Sequence, residues 1–236
     1  DRYLHLHRLH DEDGVACRHD AAGCRHDLPD HAGHRCFELY LCHLQSPAAS
    51  PAGCHDGSVS IQLGACPTLQ TDRLILRPFR DDDVDDYFAV LDTPEVRRWL
   101  HLPAGLDRSG AWKQMAGLLG EWTLRGTGQW ALEERFTGAF VGRAGLYRPE
   151  YPDWPGVEVG WTLHPDHWGR GFATEAGAES IRYAFEDLDL DRIYSCILPG
   201  NEASQAVARR LGLELLEERT MAFFPSAPHG IWSRAR

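Results

Sequence analysis

Residues 157–188 read VEVGWTLHPDHWGRGFATEAGAESIRYAFEDL, and along this stretch the chain passes from one hydrophobic period to another. Val157, Val159, Trp161 and Leu163 alternate with Glu158, Gly160 and Thr162, the period of two that marks a strand. Pro165 ends that strand, because proline has no N–H for a ladder and fixes its own φ. Trp168, Gly169, Arg170, Gly171, Phe172 and Ala173 make a turn with two glycines that runs directly into a helix. Ala173, Ala176, Gly177, Ile181, Ala184, Phe185 and Leu188 then fall on one helical face, with Glu175, Glu179, Arg182 and Glu186 on the other. Such a junction points several free backbone N–H groups at one place, backed by the positive end of the helix. That corner is an anion site, best suited to a phosphate or pyrophosphate.

The turn matches neither G-x-x-x-x-G-K-[ST] nor G-x-G-x-x-G, which disfavours a nucleotide P-loop and a dinucleotide fingerprint. Its frame, Trp168-x-x-Gly171-x-Ala173, resembles the acyl-CoA-binding pattern of the GNAT N-acetyltransferases, Gln/Arg-x-x-Gly-x-Gly/Ala. Tryptophan replaces the usual first residue, and HPDHWGRGFATEA as a whole looks like the branch that includes ribosomal-protein N-terminal acetyltransferases. Downstream, Asn201-x-x-Ser204 followed by Leu211-Gly212-Leu213 is similar to the family's second signature, whose Asn contacts the pantetheine arm. Upstream, TDRLILRPF, an acidic helix and TPEVRRWL form the opening expected of the same branch. The resemblance covers residues 70–236 and leaves the first 66 untouched. It implies an α/β fold with a central mixed β-sheet flanked by helices, with acetyl-CoA as co-substrate and no metal.

The whole chain sets bounds consistent with that reading. A length of 236 residues allows one ordinary domain and an appendage. There is no run of 18 apolar residues to span a membrane and no signal-peptide core at the start, so the expected location is cytoplasmic. A net charge of −11 argues against nucleic acid as a partner, which would need a basic face. It suits an enzyme that receives cationic amines. A monomer or homodimer is expected.

Residues 1–66 differ from the rest. They hold six of the seven cysteines, nine of the thirteen histidines and none of the eight tryptophans. Apolar periodicity does not persist there, which disfavours a packed core. Cys17-Arg18-His19-Asp20 recurs as Cys24-Arg25-His26-Asp27, yet the spacing lacks the paired Cys-x₂-Cys knuckle of a zinc site. An unstructured leader, or upstream sequence read through in frame ahead of a start at Val59, is the expectation; the folded domain spans 67–236.

Within that domain the pattern predicts a strand over 69–77, closed by Pro78, and a helix opened by Asp81, Asp82 and Asp83 as acidic capping residues on a solvated face. A short helix from Pro94 holds Val96, Trp99 and Leu100, and a longer one covers 109–124. Strands at 129–133 and 140–146 are joined around Thr137-Gly138, and a loop at 151–155 carries two prolines. A strand at 192–198 follows the central helix, and Asn201 caps the next helix. The last strands, 214–224 and 230–233, flank a turn at Pro225-Ser226-Ala227-Pro228.

Amine acetylation needs an anchored pyrophosphate, a polarised thioester carbonyl, a neutral amine and a thiolate able to leave. The amides of Trp168, Gly169, Arg170, Gly171, Phe172, Ala173 and Thr174 serve the first need, and Arg170 can pair with a phosphate. For the second, the resemblance implies that the central strand parts from its neighbour near Trp161, Thr162 and Leu163, freeing a backbone N–H for the thioester oxygen. Glu158 is the candidate base, the matching Glu of this branch lying at the acceptor end of the cleft. A strand carboxylate or a partner for Arg143 is its plain structural alternative. His164 and His167 are weaker candidates, beside Pro165 in the turn. Many relatives carry a tyrosine general acid where this chain has Ala208, so protonation of the leaving thiolate is unassigned, with Ser204 or water as candidates, and Cys196 reads as a small core residue. The acceptor is then a small-molecule amine or a protein N-terminus. A module that holds acyl-CoA without turnover, or a metal-responsive regulator, is the competing class.

Overall fold

The structure, a computed structural model, describes residues 65–222 and 224–236. The Cys/His-rich segment and its Cys17 and Cys24 echo lie outside the described residues, apart from the last two positions before Pro67. Of those two, Cys66 is half-buried against the core, and Pro67 O accepts the indole N–H of Trp130 at 2.8 Å.

Eight strands form one sheet in the order β1-β2-β3-β4-β5-β6-β8-β7. They are β1 (Leu69–Gln70), β2 (Leu74–Arg77), β3 (Gln129–Glu134), β4 (Phe140–Tyr147), β5 (Glu158–Leu163), β6 (Arg192–Ile197), β7 (Glu214–Met221) and β8 (Phe224–Ala235). Neighbours are antiparallel except β5 and β6, which run parallel through a helical crossover. The helices are α1 (Val84–Asp92), α2 (Pro94–Arg97), α3 (Arg108–Arg125), α4 (Phe172–Glu186) and α5 (Glu202–Arg210). The mixed sheet expected from the sequence is therefore present, with helices on both faces.

Strand alternation assigns residues to those faces. Val159 and Leu163 of β5 pack toward α4, in clusters with Ile181, Ala184, Phe172 and Ala176. Ala131 faces the other way, onto Phe79, Tyr87, Met115 and Leu118 from α1, α3 and the approach to α1. Each fully buried aliphatic or aromatic side chain in these clusters contributes about 1.5–3 kcal/mol by leaving water.

Four local expectations are corrected. Residues 69–77 are two short antiparallel strands, because Thr71 turns the chain: its N–H donates to Leu74 O at 2.9 Å and its hydroxyl accepts Leu74 N–H at 3.1 Å. Asp83 does cap, its Oδ2 accepting Arg80 N–H at 2.6 Å, but it is a buried ion-pair partner and not on a solvated face. It takes two 2.7 Å bonds from the Arg77 guanidinium, whose Nε also reaches Glu133 at 2.7 Å. Removing one member of such a buried set costs about 3–5 kcal/mol, since the other charge is stranded. Trp99 and Leu100 lie past the end of α2. Finally, Pro225 and Pro228 are inside β8, not in a turn. β6 pairs with β8 only over Gly230–Ala235, so residues 224–229 have β7 on one side and no strand on the other among the described residues, and proline is tolerated at such an edge.

Candidate active site

β5 and β6 are paired at one place, Glu158 opposite Tyr194, where Tyr194 N–H donates to Val157 O at 2.9 Å. Beyond it β5 stays with β4 while β6 follows β8, and the sheet opens into a fork. The Cys196 N–H, which continued pairing would give to a β5 carbonyl, is taken instead by Glu158 Oε1 at 3.1 Å. The alternation of the β4–β5 ladder shows which amides the fork exposes. His164 N–H donates to Val141 O on the β4 side, and Val157 O accepts on the β6 side. The amides of Trp161 and Leu163 therefore point toward β6 after it has left.

A cavity of about 1120 Å³ passes through this fork. Its α4 end is the turn that the sequence singled out. Gly169 (φ 72°) and Gly171 (φ 83°) take left-handed backbone, and Gly171 is the N-cap of α4. The first amide paired back along α4 is that of Glu175, to Gly171 O at 3.0 Å, so Phe172, Ala173 and Thr174 present their N–H groups outward. Trp168 spends its indole N–H on Leu163 O at 2.8 Å, tying the turn to the end of β5.

Arg170 is less free than the sequence implied. Its guanidinium lies 4.5 Å over the Phe172 ring, is paired with Glu134, and stands 3.2 Å from His167 Nδ1. Burial, with the Arg170 charge behind it, lowers the His167 pKa. Arg73, which sequence reading missed, holds the other side: Nη1 donates to Arg170 O at 2.8 Å and Nε to Glu175 Oε2 at 2.7 Å. Glu175, assigned to the solvent face, also accepts from the Thr71 hydroxyl at 2.6 Å and from Arg73 N–H at 2.9 Å. The β1–β2 turn is thereby clamped onto the first turn of α4. Nothing in periodicity marks that contact between residues a hundred positions apart.

Asn201 Oδ1 caps α5 by accepting Ser204 N–H at 3.1 Å, and both residues line the cavity. Thr162 and Leu163 line it with Trp161. Ala208 is wholly buried in the core and has no place in the cavity. Cys196, read as a core residue, lines the cavity instead, its thiol pKa raised by burial and by the neighbouring Glu158.

Glu158 sits at the fork on the face opposite α4, the face it shares with Arg143 and Tyr147. Burial pushes its carboxyl up to about 7; the Cys196 N–H and the Arg143 charge act the other way. No ion pair joins Glu158 to Arg143 among the described residues, while the bond from Cys196 N–H gives the carboxyl a structural place between β5 and β6.

The α2 end of the cavity is built from residues that the sequence did not bring together. Trp99, His101, Trp154, Phe224 and His229 enclose it above a floor of Gln129, Arg143, Gly160 and Tyr147. Phe224 stacks on His229 and lies tilted against His101, with ring centroids 4.3 Å apart in each case, and the two histidine Nε2 atoms are 3.4 Å apart. No motif linked these residues; the one available signal was aromatic side chains placed in proline-flanked loops.

The comparisons with known proteins bear directly on this arrangement. Residues 73–214 match the family model described as Acetyltransferase (GNAT) domain. The chain belongs to the GNAT acetyltransferase family. It is 31% identical over 153 residues to the N-acetyltransferase YoaA of Bacillus subtilis, covering 63% of this chain and 83% of that one. It is also 31% identical over 159 residues to the FsC-acetyl coenzyme A-N(2)-transacetylase of Aspergillus fumigatus, 65% of this chain and 67% of that one. A crystal structure of an acetyltransferase from Agrobacterium tumefaciens superposes with a TM-score of 0.63 at 30% identity, over 73% of this chain and 96% of that one. This GNAT protein is thus an acetyl-CoA-dependent N-acetyltransferase acting on an amine. Among the described residues no helix is long and apolar enough to cross a membrane.

Proposed function

We propose that this GNAT enzyme moves the acetyl group of acetyl-CoA to a primary amine, with Glu158 taking the amine's proton and the 168–174 turn holding the pyrophosphate. Glu158 at the fork carries the reading: a carboxyl whose pKa is raised to about 7, in the cavity that the α4 amides also face. A base is most effective when its pKa lies near the working pH.

The residues present fit acetyl-CoA. Two left-handed glycines and three outward amides at the start of α4 suit a pyrophosphate, and Asn201 and Ser204 line the same cavity, where they would meet the pantetheine arm. When bound, acetyl-CoA supplies the activated acyl group. The free amides of Trp161 and Leu163 stand where negative charge on the carbonyl oxygen would be stabilised. As the C–N bond forms and the C–S bond breaks, an acceptor ammonium loses two protons: the first to Glu158, the second to the departing sulfur. The largest gain is positional, since one fork brings amine and thioester together from opposite faces of the sheet.

Release of free thiol from acetyl-CoA, followed with and without an amine, tests the reading. Amine-dependent release with a matching acetylated product by mass spectrometry is expected. Tight acetyl-CoA binding with no amine-dependent release would make the protein a holding module.

A further inference from the structure

The acceptor end of the cavity carries an identifiable charge and shape. Among the described residues, two carboxylates line the cavity, Glu158 and Glu175. Glu175 is at the α4 end and is occupied by Thr71 and Arg73. The acceptor end therefore offers Glu158 alone, and Glu158 is held largely uncharged below its raised pKa. Beside it stands Arg143, on the same face of the sheet because it pairs with Thr162 on β5 as Tyr147 pairs with Glu158.

Arg143 is half-buried, and no carboxylate lies within ion-pair distance of it among the described residues. Its Nη1 donates to Gln129 Oε1, its guanidinium also hydrogen-bonds the Tyr87 side chain, and its Nε is buried without a hydrogen-bond partner among those residues. Arg73, Arg77, Arg170 and Arg182 by contrast all have carboxylate partners. A partly desolvated guanidinium with no counter-ion gains from a carboxylate through a charge-assisted hydrogen bond. The same positive charge repels any second ammonium. The walls above it are flat rings, Trp99, Trp154 and Phe224.

From these features we propose that the acceptor is a free aromatic α-amino acid, its amino group at Glu158, its carboxylate on Arg143 and its ring among Trp99, Trp154 and Phe224. Polyamines and aminoglycosides are disfavoured, because each brings further cations to a chamber with one carboxyl and a fixed positive charge. The proposal rests on the N-acetyltransferase reading and narrows it.

Thiol release by the full chain is measured with L-phenylalanine, L-phenylalaninamide, phenethylamine, L-alanine and spermidine, alongside acetyl-CoA affinity by calorimetry. The expected kcat/KM for phenylalanine exceeds that for phenylalaninamide and phenethylamine by about tenfold or more, the worth of one charge-assisted contact. Alanine and spermidine fall below phenylalanine by a similar factor. In Arg143→Met the ratio of phenylalanine to phenethylamine drops by about tenfold, and Arg143→Lys recovers part of it. Amines without a carboxylate that match or beat phenylalanine overturn the proposal, as does an unchanged ratio in Arg143→Met; either result leaves the N-acetyltransferase reading standing. Acetyl-CoA binding with no thiol release from any amine overturns both. The unmodified protein's panel decides the matter even where an Arg143 variant folds poorly.

Discussion

At the α4 end of the cavity the groups that face the space are backbone amides, fixed by two glycines with φ of 72° and 83°. At the α2 end they are side chains from residues 96–102, 154 and 224–229, together with the sheet floor. The first kind of surface binds what all members of a family share, because an amide is the same whatever residue bears it. The second kind varies with each side chain, which suits it, on the proposed reading, to discriminate between acceptors. Glu158 stands at the seam, its carboxylate doing for Cys196 N–H what a backbone carbonyl would do in an unbroken sheet.

The sharpest way to break this contrast is Gly171→Asp. It places a side chain at a left-handed φ of 83° and a negative charge at the anion corner. Acetyl-CoA affinity by calorimetry is expected to fall by about a hundredfold or more in a protein whose circular dichroism is unchanged. Undiminished affinity would mean that the amides of this turn do not hold the phosphates.

Next in size is Glu158→Gln, which keeps shape and hydrogen bonding but cannot accept a proton. Turnover should drop about 10²–10³-fold while acetyl-CoA affinity stays close to that of the parent. A matching loss of affinity would move Glu158 from the chemistry to the architecture.

Phe224→Ala addresses the acceptor end alone. Removing the ring that packs on His101 and His229 should raise KM for an accepted amine about tenfold and leave acetyl-CoA affinity alone. Equal effects on both ligands would show that the two ends are not separable.

The last effect is on stability. The native Glu158 carboxyl keeps its proton up to about pH 7, whereas the unfolded chain releases it near the ordinary value of 4.5. Between those values the native state binds more protons, so this group's contribution to stability falls as pH rises through the window and is constant above it. Thermal melts of the parent minus those of Glu158→Gln should show that decline as about ten degrees. A flat difference would mean that the carboxyl is ordinarily solvated.

The same contrast explains what could be read from sequence. Strand β5, the turn and α4 are continuous in the chain, so period, proline and glycine marked them together. Asn201 was legible as a cap because capping is local, with Ser204 three residues on. The β1–β2 turn was missed because its reason lies in Glu175, far along the chain. Asp83 was taken for a surface acid because the run of three aspartates gives no sign that one faces Arg77 in the interior. The edge position that admits Pro225 and Pro228 into β8 depends on where β6 stops, which is a property of the sheet and not of the segment. The acceptor walls fail to show for the same reason, since rings from three loops meet only once the sheet has formed.

One measurement tests the central claim most directly: the pH dependence of kcat/KM for a single accepted amine, in the parent and in Glu158→Gln. A rising limb is expected in the parent that bends near pH 7, superimposed on the amine's own deprotonation at higher pH. In Glu158→Gln the bend near 7 is absent, and the gap between the two proteins narrows as pH rises and the amine becomes neutral unaided. Parallel profiles, with the same bend in both proteins or a constant offset at every pH, would contradict a proton-accepting Glu158.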